Sequence, residues 1–314
     1  MKLFGAAMLR NEADVVESFV RHNLSLLDGL LVVDHGSSDG TSEILDALVA
    51  EGLPLEVERD ASVGYLQSEI MSRTVRQGLT RHGADFVFAL DGDEFLKIAR
   101  RDLLDGVLAT LPQGLHAAMT WQTYVPAFDA DAPSPANVLT RAKHRLAEER
   151  HGLHKVIVAR AFADTPDAVI AVGNHVVLPT SGHSAVLQPV KHARIAPEVI
   201  ALAHLPVRSA RQLTNKIVIG WLAHCVARRD NADLAFHWRE LYRELAVGQA
   251  PSVERLRTIA ANYGLPMAAW RRAEEIALIE DPLPIAELRY AAMIRDETLP
   301  LVLRFAEQLT TRQP

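Results

Sequence analysis

The first 90 residues of the chain alternate between strand-like apolar segments and segments with helical spacing. The apolar segments predict four β-strands, at residues 2–9, 30–33, 55–58 and 85–90. Apolar residues recur every three or four positions between them, which predicts helices at residues 15–24, 43–51 and 67–81. Near-continuous apolar strands indicate burial on both faces, and their alternation with helices is typical of a parallel sheet. The chain is therefore predicted to be an α/β protein with a doubly wound, mostly parallel sheet flanked by helices.

Beyond residue 104 the alternation loosens. Further strands are predicted at residues 117–124, 155–160, 168–172 and 175–178. From residue 209 onward strand signals become rare, and Leu213, Ile217 and Trp221 recur at helical spacing. We therefore predict two parts, a sheet-containing domain at residues 1–208 and a helical C-terminal region at residues 209–314.

Composition and charge limit the class of protein. With 49% hydrophobic and 23% charged residues, the chain has the balance of a soluble globular protein. Its single cysteine, Cys225, forms no internal disulfide, so a reducing, cytoplasmic compartment is expected. The sequence contains no uninterrupted run of about 18 or more apolar residues, so no membrane-spanning helix is predicted. The first residues are interpreted as a strand and not as a leader. The net charge of −6 disfavours a nucleic-acid partner, because nucleic-acid-binding domains are usually basic.

Polar clusters follow three of the predicted strands, at residues 10–12, 34–41 and 91–94. Ligands of open parallel sheets bind outside the carboxyl ends of the strands, so these clusters are candidate site residues. Asp91 and Asp93 directly follow an apolar strand, where two carboxylates are unfavourable unless a cation neutralises them. Their oxygens suit Mn²⁺ or Mg²⁺. The alternative is an ordinary solvated turn, because Asp-Gly is a common turn dipeptide.

Together the three clusters resemble the family-two glycosyltransferases of the GT-A fold, in the bacterial branch whose metal motif is D-x-D-E-F, here residues 91–95. A downstream pattern at residues 172–175 and 203–209, followed by Lys216 and Gly220, extends the resemblance to about residue 220. The resemblance implies that residues 1–208 form a catalytic domain that binds a nucleoside diphosphate sugar, with UDP-sugars favoured. It implies sugar transfer to an acceptor hydroxyl with inversion, in the assembly of a surface polysaccharide.

The resemblance also assigns residues to roles. Nucleotide contacts fall on Asn11, Glu12, Asp34, Ser37, Asp39, Arg73 and Asp91. The metal ligands would be Asp91, Asp93 and His204. Two positions depart from the family pattern, since His35 replaces the commoner Asp or Asn, and Arg73 stands where relatives often carry a small amide.

The catalytic base has no clear counterpart of the usual late acidic residue. His175 and Glu94 are the candidates, and Asp129 and Glu149 compete with them. The acceptor would be a saccharide or a lipid-linked saccharide. Arg208, Arg211, Lys216, Arg228 and Arg229 form either a solvated basic face or a surface for an anionic diphosphate, which would allow peripheral contact with the inner membrane face.

Two other interpretations remain open. Residues 36–40 match G-x-S-x-G between a strand and a helix, which would make Ser38 the nucleophile of an α/β hydrolase. That interpretation leaves Asp91 and Asp93 unexplained. The second is a non-catalytic protein that only binds a nucleotide sugar.

Overall fold

A computed structural model describes residues 1–128, 137–179, 188–227, 236–248 and 250–310. Nine of its strands form one twisted sheet in the order β3-β2-β1-β4-β8-β6-β12-β5, with β11 paired to β6. The strands of this sheet are β1 (Leu3–Leu9), β2 (Gly29–Asp34), β3 (Leu55–Arg59), β4 (Phe86–Asp91), β5 (Glu94–Ile98), β6 (His116–Thr123), β8 (His154–Ala159), β11 (His192–Arg194) and β12 (Ile200–His204). Smaller pairs join β7 (His144–Leu146) to β13 (Leu278–Glu280), and β9 (Val169–Ile170) to β10 (Val177–Leu178).

The sheet is mostly parallel. Among the described strands, β1 pairs in parallel with β2 and β4, β2 with β3, and β6 with β11 and β12. The antiparallel pairs are β4 with β8, β6 with β8, and β5 with β12. The predicted α/β fold with a mostly parallel sheet is confirmed.

Helices cover both faces of the sheet. They are α1 (Val16–Leu24), α2 (Thr41–Ala50), α3 (Gln67–Thr80), α4 (Arg101–Ala109), α5 (Ala210–Val226), α6 (Phe236–Ala246), α7 (Val253–Ala261) and α8 (Thr298–Thr310). Successive side chains of a strand point to opposite faces. In β1, Leu3 and Leu9 join the core with α1 and α2, whereas Phe4 and Ala6 join the core with α3. The sheet is therefore buried on both sides, as its apolar strands predict.

The C-terminal region is helical in part. Helices α5 to α8 lie in it, and residues 262–297 between α7 and α8 contain only short 3₁₀ turns and β13, which pairs with β7. The region also contacts the first 208 residues, since the Tyr290 hydroxyl donates to Glu51 at 2.6 Å and Lys97 bonds to Asp281. A domain boundary at residue 208 stays a prediction. None of the described helices has the length and apolar character needed to cross a membrane.

Helix α8 covers the loop between β2 and α2, residues 35–40, called here the β2–α2 loop. Arg304 donates to the carbonyl of Ser38 at 2.6 Å, and Gln308 donates to that of Gly36 at 3.4 Å. Gly40 has a φ of +107°, and a Cβ atom there would lie 2.0 Å from the carbonyl oxygen of Met293. The last described residues thus determine the shape of a loop near the start of the chain.

Candidate functional site

A cavity of about 420 Å³ opens at the carboxyl ends of β1 and β4, and is called here the central cavity. Its polar wall comes from residues 10–12 after β1 and 91–93 after β4. The rest of the lining includes residues from β6, β12, α5 and the C-terminal region: Trp121, His204, Lys216, Trp238 and Tyr263. The parallel strands β1 and β4 end at the same edge of the sheet, which is why two clusters 80 residues apart meet there.

Asp91 is held in place by three side chains. Its Oδ1 accepts hydrogen bonds from Gln67 at 2.9 Å and Asn174 at 3.0 Å. Its Oδ2 accepts a bond from the ammonium group of Lys155, which lies within β8. Asn174 adopts a φ of +58°, a conformation that asparagine tolerates better than most residues. Asp91 therefore faces the cavity with its orientation already fixed.

Asp93 is almost fully buried and lies among three cationic or ionisable groups. Its Oδ2 is 2.5 Å from Lys216 Nζ and 3.8 Å from Arg208 Nη1, and its Oδ1 is 3.6 Å from His204 Nε2. Burial would raise the pKa of Asp93, but Lys216, His204 and Arg208 hold it well below its ordinary value. Asp93 is therefore an anion in the folded protein.

Glu94 lies behind the cavity wall. Only Gly92 and Asp93 separate β4 from β5, so Glu94 is the first residue of a strand and its side chain is fully buried. Its Oε2 accepts the backbone N–H of Asp91 at 2.8 Å, and its Oε1 is 2.9 Å from Lys155 Nζ. Burial raises the pKa of Glu94 to about 8, helped by Asp91 and Asp93 and opposed by Lys155. Glu94 therefore supports Asp91 and does not line the cavity.

Glu12 lines the cavity and pairs with Arg208. Burial raises the pKa of Glu12 to about 7, although Arg208 and Lys216 act in the opposite direction. Arg208 also binds Asp14, so one buried guanidinium serves two carboxyl groups of the same turn. The hydrogen bonds of this guanidinium hold the segment after β1 against the start of α5.

Aromatic and imidazole rings line another part of the central cavity. The centroid of the Trp121 ring lies 4.1 Å from that of His204 and 5.8 Å from that of His175, and His204 lies 5.5 Å from Tyr263. Trp121 Nε1 and His204 Nδ1 are buried and have no hydrogen-bond partner among the described residues. Buried polar atoms of this kind are unfavourable unless a ligand satisfies them.

The two site histidines are neutral at physiological pH. His175 Nδ1 donates to the carbonyl of His154 at 2.7 Å, which leaves Nε2 as a proton acceptor. Burial and the charge of Lys155 lower the pKa of His175 to about 4. Burial also lowers the pKa of His204 well below its ordinary 6.5. A neutral imidazole is the form that binds metal or accepts a proton.

Hydrogen bonds to Asn11 and Asp34 also hold the β2–α2 loop. Asn11, at a φ of +57°, accepts the Ser38 N–H at 2.8 Å and donates its own N–H to Ser37 Oγ at 2.9 Å. Asp34 accepts the Ser37 N–H at 3.1 Å and pairs with Arg59 at 2.8 Å. A hydrolase elbow requires a strained serine, but the non-glycine residues with positive φ in the described ranges are Asn11 and Asn174. Ser38 therefore lacks the geometry of a nucleophile.

The structure brings together some of the predicted site residues. The central cavity is lined by Asn11, Glu12, Asp91, Asp93, His175 and His204. The cavity lining does not include Asp34, Ser37, Asp39, Arg73 or Glu94. Of these, Asp39 accepts the backbone N–H groups of Ala13 and Thr41 and so caps α2, and burial raises its pKa. Arg73 is 46% exposed and pairs with Glu58 on the outer surface.

Glu149 and Asp129 are the competing bases, and Arg228 and Arg229 belong to the predicted basic set. Glu149 accepts two hydrogen bonds from Thr123 and lies 3.2 Å from His151. Asp129, Arg228 and Arg229 lie outside the described residues.

Several cavity residues were missed by the sequence interpretation. Lys155 is a single charge within an apolar strand, and such a buried lysine was a usable signal because it requires a carboxylate partner. Gln67, which donates to Asp91, carried no distinct signal. Trp238 and Tyr263 reach the cavity from the C-terminal region, and their spacing in the sequence is that of ordinary core residues.

The ion-paired residues around the cavity carry more negative than positive groups. Five carboxyl groups face three basic side chains: Glu12, Asp14, Asp91, Asp93 and Glu94 against Lys155, Arg208 and Lys216. The raised pKa values of Glu94 and Glu12 mean that these two carboxyl groups are largely or partly protonated near neutral pH, which reduces the excess of negative charge. Asp91, Asp93 and His204, whose Nε2 lies 3.6 Å from Asp93 Oδ1, are ligands that Mn²⁺ accepts. The described residues contain no ready-made group of three or more metal ligands, so a cation here would share its coordination with substrate oxygens.

Comparisons with known proteins give weak matches. No protein-family model matches the chain. No curated protein matches it either. The crystal structure of residues 1–349 of TarS from S. aureus has a TM-score of 0.35 and 12% identity, over 70% of this chain and 64% of that chain. The complex of the same TarS region with UDP has a TM-score of 0.35 and 13% identity, over 69% of this chain and 66% of that chain.

Glucosyl-3-phosphoglycerate synthase from Mycobacterium tuberculosis, solved with Mn²⁺, UDP and glucosyl-3-phosphoglycerate, has a TM-score of 0.25 and 20% identity, over 38% of this chain and 43% of that chain. The chain therefore spans less than two thirds of the length of these solved chains. Likeness at this level does not identify a family.

Proposed function

We propose that the protein is a glycosyltransferase that moves a sugar from a nucleoside diphosphate sugar to an acceptor hydroxyl. The observation that carries the proposal is the pair Asp91 and Asp93, which ends β4 at the central cavity between two lysines. Nearby lie the amide of Asn11 and the carboxyl group of Glu12. This combination of acidic, basic and amide groups suits a diphosphate with its counter-ion.

The donor is proposed to be a UDP-sugar. Asn11 and Glu12 would contact the nucleotide at the cavity wall, and Asp91 its ribose. Asp34, Ser37 and Asp39 would act indirectly, because their hydrogen bonds are used to hold the β2–α2 loop. Arg73, on the outer surface, would have no part in this function.

A divalent cation, Mn²⁺ or Mg²⁺, is part of the proposal. Asp91, Asp93 and His204 would hold it together with substrate oxygens, because both carboxylates line the cavity and His204 Nε2 lies 3.6 Å from Asp93 Oδ1. Bound there, the cation would supply Lewis-acid stabilisation of the charge on the leaving nucleoside diphosphate.

His175 is proposed to take the proton from the acceptor hydroxyl, with inversion at the transferred sugar. Its Nδ1 is committed to the carbonyl of His154, so Nε2 is the available acceptor. Glu94 is too buried for this role. Glu12 is the competing base, since its raised pKa lies near the working pH of most enzymes.

The acceptor is proposed to be a saccharide, free or lipid-linked, in cytoplasmic assembly of a surface polysaccharide. Trp121 and Tyr263 line the cavity, and aromatic faces of this kind stack on sugar rings. Lipid linkage would require contact with the inner membrane face, for which Arg211, exposed near the start of α5, is a basic group.

Nucleotide binding tests the proposal. Thermal shift should show that UDP with Mn²⁺ stabilises the protein, whereas UDP with a chelator stabilises it much less, since a ligand of the native state raises its stability. Slow hydrolysis of UDP-glucose in the presence of Mn²⁺ would separate an enzyme from a protein that only binds the nucleotide. Absence of any shift with UDP, GDP, CDP or TDP, with or without Mn²⁺, would refute a nucleoside diphosphate donor.

A further inference from the structure

Each aspartate of the proposed metal site already holds one lysine. Lys155 lies against Asp91 and Glu94, and Lys216 Nζ lies 2.5 Å from Asp93 Oδ2. Each lysine thus forms an ion pair with an aspartate, and both lysines line the central cavity.

The two lysines differ in how firmly they are held. Lys155 is 1% exposed, is fixed within β8 and bonds to two carboxyl groups. Lys216 is 20% exposed, projects from α5 and has Asp93 as its carboxylate partner. Its ammonium also lies 5.7 Å from the centre of the Tyr263 ring, at the edge of a cation–π contact. Lys216 can therefore leave Asp93 at a smaller cost than Lys155 can leave Asp91.

We propose that Lys216 exchanges partners when the donor binds. In the empty protein its ammonium neutralises Asp93; with the donor present it binds the diphosphate, and Asp93 is left to the cation. Lys216 would thus be a diphosphate-binding residue that competes with the divalent cation for Asp93. This inference rests on the proposed function, because it takes a nucleoside diphosphate as the ligand.

The charges around Asp93 support the exchange. A cation that approaches Asp93 meets the ammonium of Lys216 and is repelled unless that ammonium moves. A diphosphate carries the negative charge that a displaced ammonium needs, and a lysine binds phosphate as a point charge from several directions. The same side chain therefore weakens binding of the cation alone and strengthens binding of the diphosphate.

Lys216→Met separates these two effects, because it keeps most of the length of the unbranched side chain and removes the charge. By calorimetry, Mn²⁺ alone should bind Lys216→Met roughly tenfold more tightly than wild type, because no ammonium must leave Asp93. UDP, at saturating Mn²⁺, should bind it roughly tenfold more weakly, because one charged hydrogen bond to phosphate is lost. Lys216→Arg should keep both wild-type affinities to within about threefold.

Lys97→Met is the matched control. Lys97 is also partly buried and paired with an aspartate, Asp281, but does not line the central cavity. Both affinities should be unchanged in it. Melting temperatures of all variants report folding, and Lys216→Gln replaces Lys216→Met if the latter is unfolded.

The signs of the two changes decide the outcome. Weaker binding of both ligands would make Lys216 a structural residue, and unchanged Mn²⁺ affinity would remove the competition; either result overturns the proposal. Unchanged UDP affinity would remove the phosphate contact and overturn it equally. Failure of wild type to bind UDP under any condition would instead refute the proposed function.

Discussion

The guanidinium of Arg208 donates hydrogen bonds to both carboxylate oxygens of Asp14, at 2.7 and 2.8 Å. The two residues are 194 positions apart in the chain, and Arg208 is only 1% exposed. The same guanidinium binds Glu12. The turn after β1 and the start of α5 are therefore joined by a buried, charged contact.

Replacing Arg208 with Met should strongly destabilise the protein. Removing one partner of a buried ion pair leaves the other charge uncompensated, and we expect a loss of about 3–5 kcal/mol in the free energy of unfolding. Urea denaturation measures this loss. Arg211→Met is the control, because Arg211 is 49% exposed and its pair with Asp296 should contribute little. Equal losses in the two variants would contradict the importance of the buried pair.

Asp91→Asn and Asp93→Asn should each weaken Mn²⁺-dependent UDP binding by more than about tenfold. Asparagine is roughly as large as aspartate, so each change removes one anionic metal ligand and keeps the volume of the side chain. Calorimetry with UDP at saturating Mn²⁺ measures the change, and far-ultraviolet circular dichroism should show an intact fold. Asp46→Asn is the control, because Asp46 is 70% exposed and pairs with Arg59. Wild-type affinity in both site variants would exclude the metal assignment.

The pH dependence of kcat/KM should separate the two candidate bases. A base must be deprotonated to act, so activity is present above its pKa and is lost as the pH falls through it. With His175 as base, whose pKa is lowered to about 4, activity should stay level from about pH 6 to 8 and fall only in more acidic buffer. A decline centred near pH 7 as the pH falls, together with loss of activity at all pH values in Glu12→Gln, would assign the base to Glu12.

Gly40→Ala should destabilise the protein more than Gly52→Ala does. Both glycines have positive φ, which costs other residues about 1–2 kcal/mol. At Gly52 nothing lies within 4 Å of a new Cβ, whereas at Gly40 the Cβ would overlap the Met293 carbonyl. We expect Gly40→Ala to lose at least about 2 kcal/mol more than Gly52→Ala. Equal unfolding midpoints in urea would mean that the contact with Met293 does not form.

The sequence predicts the first half of the sheet well, because the apolar spacing of β1 to β4 and of α1 to α3 depends on local periodicity. It also predicts that the segments after β1 and β4 meet, since parallel strands place them at one edge. It does not predict β5, because Glu94 and Lys97 interrupt the apolar pattern of that strand and β12 pairs with it only after residue 200.

The places of Lys155 and Tyr263 in the cavity could not be predicted for a related reason. Lys155 reaches Asp91 across 64 positions, and Tyr263 arrives from the C-terminal region. Such contacts depend on how elements that are distant in sequence pack together, and the local sequence pattern does not determine that packing. Arg73 and Asp39 show a second limit. The position of a residue in a motif does not determine whether its side chain faces the cavity, the surface or a helix end.

The cover that α8 forms over the β2–α2 loop has a consequence for synthesis of the protein. A ribosome releases the amino-terminal part of a chain first, so Ser38 and Gly36 are synthesised 266 and 272 residues before their respective partners Arg304 and Gln308. Until those two side chains are made, the carbonyl groups of Gly36 and Ser38 lack these two hydrogen-bond donors. The loop therefore reaches its final contacts only after α8 has been synthesised.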